Sequence, residues 1–382
     1  MFRIKSDKII VGETLFDGYV YVENSKIVEL TRRKRKVEVE YDYTGKYVSS
    51  GFIDLHTHGA GGYNFMSDDY QDVIEACNCH LQFGTTTILP TLTTAPIEEM
   101  CRGLANVKKA KDSKQTKNRI VGAHLEGPYF SLNQCGAQAG ECITGPIKAD
   151  YERLIADYGA YIARWSYAPE NDKNGEFCNS LREHNIIASA GHTDAKYEDM
   201  QVAIKNGCNL ITHLYSCTST VTRQRGFRSL GVIESAYLHD ELYVEIIADG
   251  KHLPPDLIKM IIKIKGTDKV ALITDSQYVA GLYRDKDYAE YDNFIVEDGV
   301  AKLKDRSAFS GSIATANVCV RTLVEDCGYS IPTAVKMITE TPASILKDKK
   351  IGRIAKDCVA DFVVFDEKIN VCDVFVNGEK VV

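Results

Sequence analysis

Hydrophobic and polar positions alternate along this chain in two different ways. At both ends the period is two, as in half-buried strands. Examples are "KIIVGETLFDGYVYVENSKIVEL" near the start and "ADFVVFDEKINVCDVFVNGEKVV" at the end. From residue 51 onward, short β-rich apolar runs are each followed by an amphipathic stretch of helical length. Eight such runs occur: "GFIDLHTH" (51–58), "TTTILPTLT" (85–93), "IVGAHLEGP" (120–128), "IARWSYAPE" (162–170), "IIASAGHT" (186–193), "LITHLY" (210–215), "YVEIIADGKH" (243–252) and "VALITDS" (270–276). Between them lie predicted helices. "DAKYEDMQVAIKNG" reads as a helix over 194–206, capped by Asp194 and stopped at Gly207. "PPDLIKMIIKIKG" has proline near its start and Gly266 just past its end.

Repeated strand–helix units predict a parallel sheet, and eight of them predict a closed (β/α)8 barrel of the TIM type, about 250 residues long. The competing α/β arrangement, an open doubly wound sheet, lacks its usual glycine-rich turn after the first strand. The two ends are expected to pair into a small β-sandwich domain. The predicted domains are therefore 1–50 plus 350–382 beside a barrel over 51–349. Asn377-Gly378 between apolar runs predicts a hairpin.

Composition narrows the class. Lys and Arg number 46 against 53 Asp and Glu, a net charge of −7, and no basic block of the kind that binds nucleic acid is expected. No apolar run approaches the ~18–20 residues needed to span a membrane, and the first residues read as strands, not as a leader. The expectation is a cytoplasmic protein with no membrane or nucleic-acid partner. Twelve cysteines without a CxxC pair are expected to be reduced and mostly buried, not a cysteine–zinc site.

Chemistry on a (β/α)8 barrel sits at the C-terminal ends of the strands. Six of the eight runs end in His, Glu or Asp: His56-Thr57-His58, His124-Leu125-Glu126, His192, His213, Asp249-Gly250-Lys251-His252 and Asp275. Alternation points His56 the same way as His58, and His124 the same way as Glu126. One such residue is ordinarily a solvated strand end. Six at one end converge, and left unpaired and buried they would be costly. A divalent metal is the economical partner. Imidazole and carboxylate suit zinc foremost, with iron, nickel, manganese and cobalt compatible. A metal with an open position lowers the pKa of water to about 7. Asp275, alone at the end of run eight, is the natural general base and acid.

The set "HTH", "HLEGP", "GHT", "THLY", "DGKH" and "TDS", in this order, resembles the amidohydrolase superfamily. Within it, the chain resembles the N-acetylglucosamine-6-phosphate deacetylases. The likeness runs nearly end to end and includes "FGTTTILPTLTT", "SGSIATA", "TPASIL" and "IGRIAKDCVADFVVFD". It implies a barrel with a β-sandwich built from both ends. It implies that Glu126, His192 and His213 hold the principal divalent metal. His56 and His58 would hold a second, with Glu126 bridging. Asp275 is the implied general base and acid, and His252 the implied sugar contact. The implied substrate is an N-acetylated amino sugar phosphate. The implied assembly is a homodimer whose partner subunit reaches the phosphate.

The substrate side departs from the family pattern. Ser216 and Cys217 stand where the family has Asn-Ala. Gln138, in "CGAQAG", replaces a substrate-contacting histidine. Arg223, Arg225 and Arg228, in "RQRGFR", replace Arg-Glu-Pro-Gly. These arginines are dense enough to bind an anion, although a solvated basic loop is the ordinary reading. The alternative function is therefore hydrolysis of a different N-acyl sugar or another amide. A non-catalytic paralogue ranks last, because Asp275 is retained. His124 is expected to support a ligand from behind, and His80, His184 and His239 to be structural or surface residues.

Overall fold

A computed structural model describes residues 1–283 and 287–382. Eight parallel barrel strands follow the predicted runs: Phe52–Thr57, Thr85–Leu92, an interrupted third strand (Arg119–Ile120 and Ala123–Glu126), Ile162–Tyr167, Ile187–Ala190, Leu210–Ile211, Tyr243–Ile247 and Val270–Ile273. Each pairs in parallel with the next from strand one to strand eight. Helices cover the outside, and the strands are buried on both faces, as their continuous apolar runs require.

The barrel is nearly closed. Among the described residues, strands eight and one form no regular ladder. In the lower part of this gap, Ile53 N–H donates to Ile338 O (2.9 Å) and Leu272 N–H to Met337 O (2.9 Å), so the turn after helix Ile331–Lys336 is wedged between them. At the upper end Asp275 N–H donates to His56 O (2.9 Å) and His58 N–H to Ser276 O (2.8 Å).

Both chain ends join one eight-stranded sheet, in which Phe362–Phe365 pairs antiparallel with Tyr47–Ser50. Its core packs Ile4, Val20, Val48, Phe362, Val364 and Phe375. Val376 pairs with Glu379 across Asn377 (φ 51°) and Gly378 (φ 81°), the two left-handed residues of a tight hairpin.

Four details differ from the sequence reading. The helix expected from Asp194 is Tyr197–Asn206; the Asp199 side chain accepts from Lys196 N–H (3.0 Å), so the cap lies two residues later, although Gly207 (φ 118°) does end it. A three-stranded antiparallel sheet (Ala289–Glu290, Phe294–Glu297, Val300–Leu303) follows barrel strand eight where no strands were expected. A short basic block does occur: residues 32–36, "RRKRK", lie exposed between two strands of the terminal sheet. There Arg35 pairs with Glu29 and Arg32 lies over the Phe16 ring. Of the cysteines, Cys79, Cys101, Cys135, Cys142 and Cys217 are only partly buried and Cys372 is exposed; all twelve are free thiols.

Candidate active site

The strand ends bring six predicted residues together. Glu126, from strand three, is the hub. Its Oε1 lies 3.2 Å from His192 Nε2, 3.2 Å from His213 Nε2 and 3.3 Å from His56 Nε2. Its Oε2 lies 3.3 Å from His58 Nε2. Asp275 Oδ1 is 3.3 Å from His56 Nε2 and 3.2 Å from His58 Nε2. His192 (φ 46°), His213 (φ 28°) and Asp275 (φ 45°) all adopt the left-handed conformation that non-glycine residues avoid. Each turns its side chain inward where its strand ends, and such backbone outliers cluster at functional sites.

The donor set fits a divalent metal. Two groups, His56–His58–Glu126 and Glu126–His192–His213, each hold their ligand atoms within 4.8 Å of one another. His192 Nδ1 lies 2.9 Å from Gln134 O, and His213 Nδ1 lies 3.1 Å from Ser216 O. A carbonyl oxygen only accepts, so in each ring Nδ1 carries the proton and donates it to that bond. In the neutral ring, the Nε2 lone pair then faces a carboxylate oxygen 3.2 Å away, which is repulsive unless a cation lies between. His56 is fully buried and neither ring nitrogen makes a hydrogen bond, although Nε2 lies between two carboxylates. Such an orphaned group demands a partner.

Without a metal, imidazolium supplies the positive charge. Burial works against the His58 cation, but Asp275 and Glu126 outweigh it and hold its pKa up to about 10. Burial likewise opposes the Asp275 carboxylate, yet His56 and His58 draw its pKa down to about 2. Glu126, also against its burial, is held well below the carboxylate range by His56, His192 and His213.

The site opens into a cavity of about 330 Å³ lined by His58, Glu126, His192, His213 and Asp275, with Gln138, Ser216, Cys217 and His252 on its walls. Gln138, expected to touch substrate, is engaged elsewhere. Its Nε2 donates to Glu126 Oε2 (2.8 Å), while its Oε1 accepts from Thr93 Oγ1 (2.7 Å) and Thr94 N–H (3.0 Å). His252 Nδ1 sits 2.8 Å from Asp249 Oδ2, which leaves Nε2 for a ligand, and its ring packs 4.8 Å from Phe309. Arg223 and Arg225 do not line this cavity; with Arg228 they lie on an exposed hairpin, Thr222–Gln224 with Phe227–Ser229.

His124 is buried beneath the site, its ring 4.6 Å from that of His56, and it contacts Ser166 Oγ (2.7 Å) and Thr91 Oγ1 (3.2 Å) but no ligand nitrogen. Below it, Arg164 donates to both Glu245 carboxylate oxygens, to Ser189 Oγ (3.0 Å) and to Thr212 Oγ1 (2.8 Å). His80 is buried against Thr57 Oγ1 (2.9 Å) and Gly59 O (3.0 Å), and that burial lowers its pKa to about 4. His184 is exposed and His239 pairs with Glu241. The sequence reading missed Asp54, Arg164, Glu245 and Ser312. Asp54 was within reach, since residues 54, 56 and 58 share one face by alternation. A charged residue inside each of the apolar runs "IARWSY" and "YVEII" was the corresponding signal for Arg164 and Glu245.

Comparison with known proteins agrees with this geometry. The N-acetylglucosamine-6-phosphate deacetylase of Bacillus subtilis is 31% identical over 361 residues, covering 92% of this chain and 90% of its own. The N-acetylgalactosamine-6-phosphate deacetylase of Shewanella is 29% identical over 341 residues, covering 89% and 84%. A solved variant of N-acetyl-D-glucosamine-6-phosphate deacetylase from Mycobacterium smegmatis, in complex with N-acetyl-D-glucosamine-6-phosphate, superposes with a TM-score of 0.90 at 26% identity over 100% of this chain and 99% of that one. The amidohydrolase family profile matches residues 47–381, from the last strand before the barrel to the final strand of the terminal sheet. Barrel, converging imidazoles and profile agree: the chain belongs to the amidohydrolase family.

Proposed function

We propose that the protein hydrolyses the acetamide of N-acetylglucosamine 6-phosphate, releasing acetate and glucosamine 6-phosphate in amino-sugar breakdown. The observation that carries this reading is Asp275 Oδ1, 3.2–3.3 Å from His56 and His58, at the rim of a cavity walled by a two-set metal cradle. Relatives named for this activity cover nine-tenths of the chain. Glu126, His192 and His213 would hold the principal ion, and His56 and His58, with Glu126 bridging, a second; zinc is the foremost candidate. When bound, the metal polarises the amide carbonyl and lowers the pKa of water. Asp275 takes the proton of the attacking water and hands it to the departing amine nitrogen. His252, held by Asp249, offers Nε2 to the substrate.

Among the described residues, the cavity lining contains no Lys or Arg. A 6-phosphate therefore needs its cation from elsewhere. We assign that part to Arg223, Arg225 and Arg228 of a partner subunit's hairpin in a homodimer. Two second readings have specific support. The galactosamine epimer is favoured by the Shewanella relative, and a non-phosphorylated N-acyl sugar by the cation-free lining. An activity screen over N-acetylglucosamine, N-acetylgalactosamine and their 6-phosphates separates all three. The first reading expects the glucosamine-type phosphate to give the highest kcat/KM. Equal turnover of the free sugar would overturn it. Arg225→Ala should raise KM for the phosphate while leaving kcat unchanged.

A further inference from the structure

The motif "SGSIATA" and the acid of "GFIDLHTH" have no part in the mechanism above, yet both converge on Thr274, the residue before Asp275, and the motif also on Asp275 O. From these contacts we propose that Asp54, Thr274 and Ser312 form a two-sided clamp that holds Asp275 in its left-handed conformation, and that they are positioning residues for proton transfer. The proposal rests on the reading of Asp275 as general base.

The clamp sits where the barrel lacks a regular ladder. On the strand-one side, Asp54 is fully buried. Its Oδ2 accepts from Thr274 Oγ1 (2.6 Å), and its Oδ1 from Thr274 N–H (3.3 Å) and His56 N–H (3.3 Å). One carboxylate thus ties the backbone just before Asp275 to the backbone of a histidine in the metal cradle. It substitutes side-chain hydrogen bonds for missing strand pairing. On the opposite side, Ser312 Oγ donates to Thr274 O (2.6 Å) and Ser312 N–H donates to Asp275 O (2.7 Å). Gly311, at φ 72°, leaves no room for a side chain there: a Cβ would stand 2.7 Å from Asp275 O. Thr274, Ser312 and Asp54 are all fully buried, so water does not take over these bonds. A residue at φ 45° persists only where its surroundings over-determine it, and here both of its peptide groups are held, Asp275 N–H by His56 O and Asp275 O by Ser312. Proton transfer by a carboxylate depends steeply on its placement.

The test uses full-length, metal-loaded protein and five variants: Thr274→Val, Thr274→Ser, Gly311→Ala, Asp54→Asn and Asp275→Ala. Read for each are kcat, KM, metal content by elemental analysis and melting temperature. Thr274→Val is expected to lower kcat at least tenfold with KM within twofold and metal content unchanged. Thr274→Ser, which keeps the hydroxyl and loses only the methyl, should restore kcat to within threefold of wild type. Gly311→Ala and Asp54→Asn should follow Thr274→Val where they fold. A Thr274→Val kcat within twofold of wild type, beside an inactive Asp275→Ala, would overturn the clamp alone. So would loss of metal in parallel with kcat, or failure of Thr274→Ser to rescue, since the first means ligand retention and the second means packing. A fully active Asp275→Ala would instead remove the reading of Asp275 on which the clamp depends.

Discussion

Replacing Gln138 by leucine separates two roles for one side chain. The sequence alone leads one to expect Gln138 to contact substrate, whereas the structure has its amide bonded to Glu126 Oε2 at 2.8 Å and anchored by Thr93 and Thr94. Glu126 is the one residue common to both candidate metal sets, so its orientation governs both. A hydrogen bond to a charged group contributes about 1.5–3 kcal/mol, and each 1.4 kcal/mol is a factor of ten. This converts to roughly 10–150-fold, close to the 10–100-fold typical of groups that orient metal ligands. Gln138 borders the cavity and is only partly buried, so water replaces some of the lost bond and the lower part of that range applies. Gln138→Leu is therefore expected to weaken metal binding roughly 10–30-fold, measured by competition against a chromophoric chelator on stripped and reloaded protein. With saturating metal, KM for the sugar phosphate should change less than threefold. Unchanged metal affinity together with a large rise in KM would refute this reasoning and return Gln138 to the substrate.

Three further outcomes are expected. His58 has its pKa raised to about 10 in the metal-free site, so it is protonated at pH 8, while a metal ligand must be neutral. Loading at pH 8 should therefore release at least one proton per chain, His58 and the likewise raised His192 both contributing, seen as buffer-dependent heats in calorimetry; heats independent of the buffer's ionisation enthalpy would contradict it. The sign for stability follows. A raised folded pKa stabilises below the unfolded value near 6.5 and is lost as pH rises through about 10, so metal-free protein should lose melting temperature over that window. Asp275→Asn should keep metal and lose roughly 100–10,000-fold in kcat, the span of general acid–base catalysis; near-normal turnover would exclude the assigned role. Arg164→Met strands a fully buried Glu245 carboxylate and should cost about 3–5 kcal/mol by denaturant unfolding, whereas Arg164→Met with Glu245→Leu should recover much of it; an equal loss in the double variant would mean that packing, not charge, dominates there.

What the chain made legible, and what it hid, follows from the range of the signals. Strand ends were readable because the barrel translates sequence order into spatial order. Six strands that end in His, Glu or Asp must converge once the sheet closes, and His56, Glu126, His192, His213 and Asp275 do so within 3.3 Å of a neighbour. Asn377-Gly378 was readable because two left-handed residues leave few alternatives to a tight turn. Gln138's bond to Glu126 was not legible because a position in a loop does not say which way the amide faces; Thr93 and Thr94, some 44 residues earlier, turn it onto Glu126. The sheet of residues 289–303 was missed because "FIVEDGVAKL" follows eight completed units and the barrel pattern had no place for it. The arginines of "RQRGFR" are the opposite case: composition singled them out, and the fold leaves them exposed, away from the cavity of their own chain. Thr274 and Ser312 carry no periodic signal, because small hydroxyl residues are common at strand ends. Their meaning depends on a barrel seam without a ladder, and that absence is a property of the closed sheet, which no local window of sequence contains. The chemistry of this site is thus spelled out in its ionisable residues, while the backbone geometry around Asp275 also rests on two small neutral ones, Thr274 and Ser312.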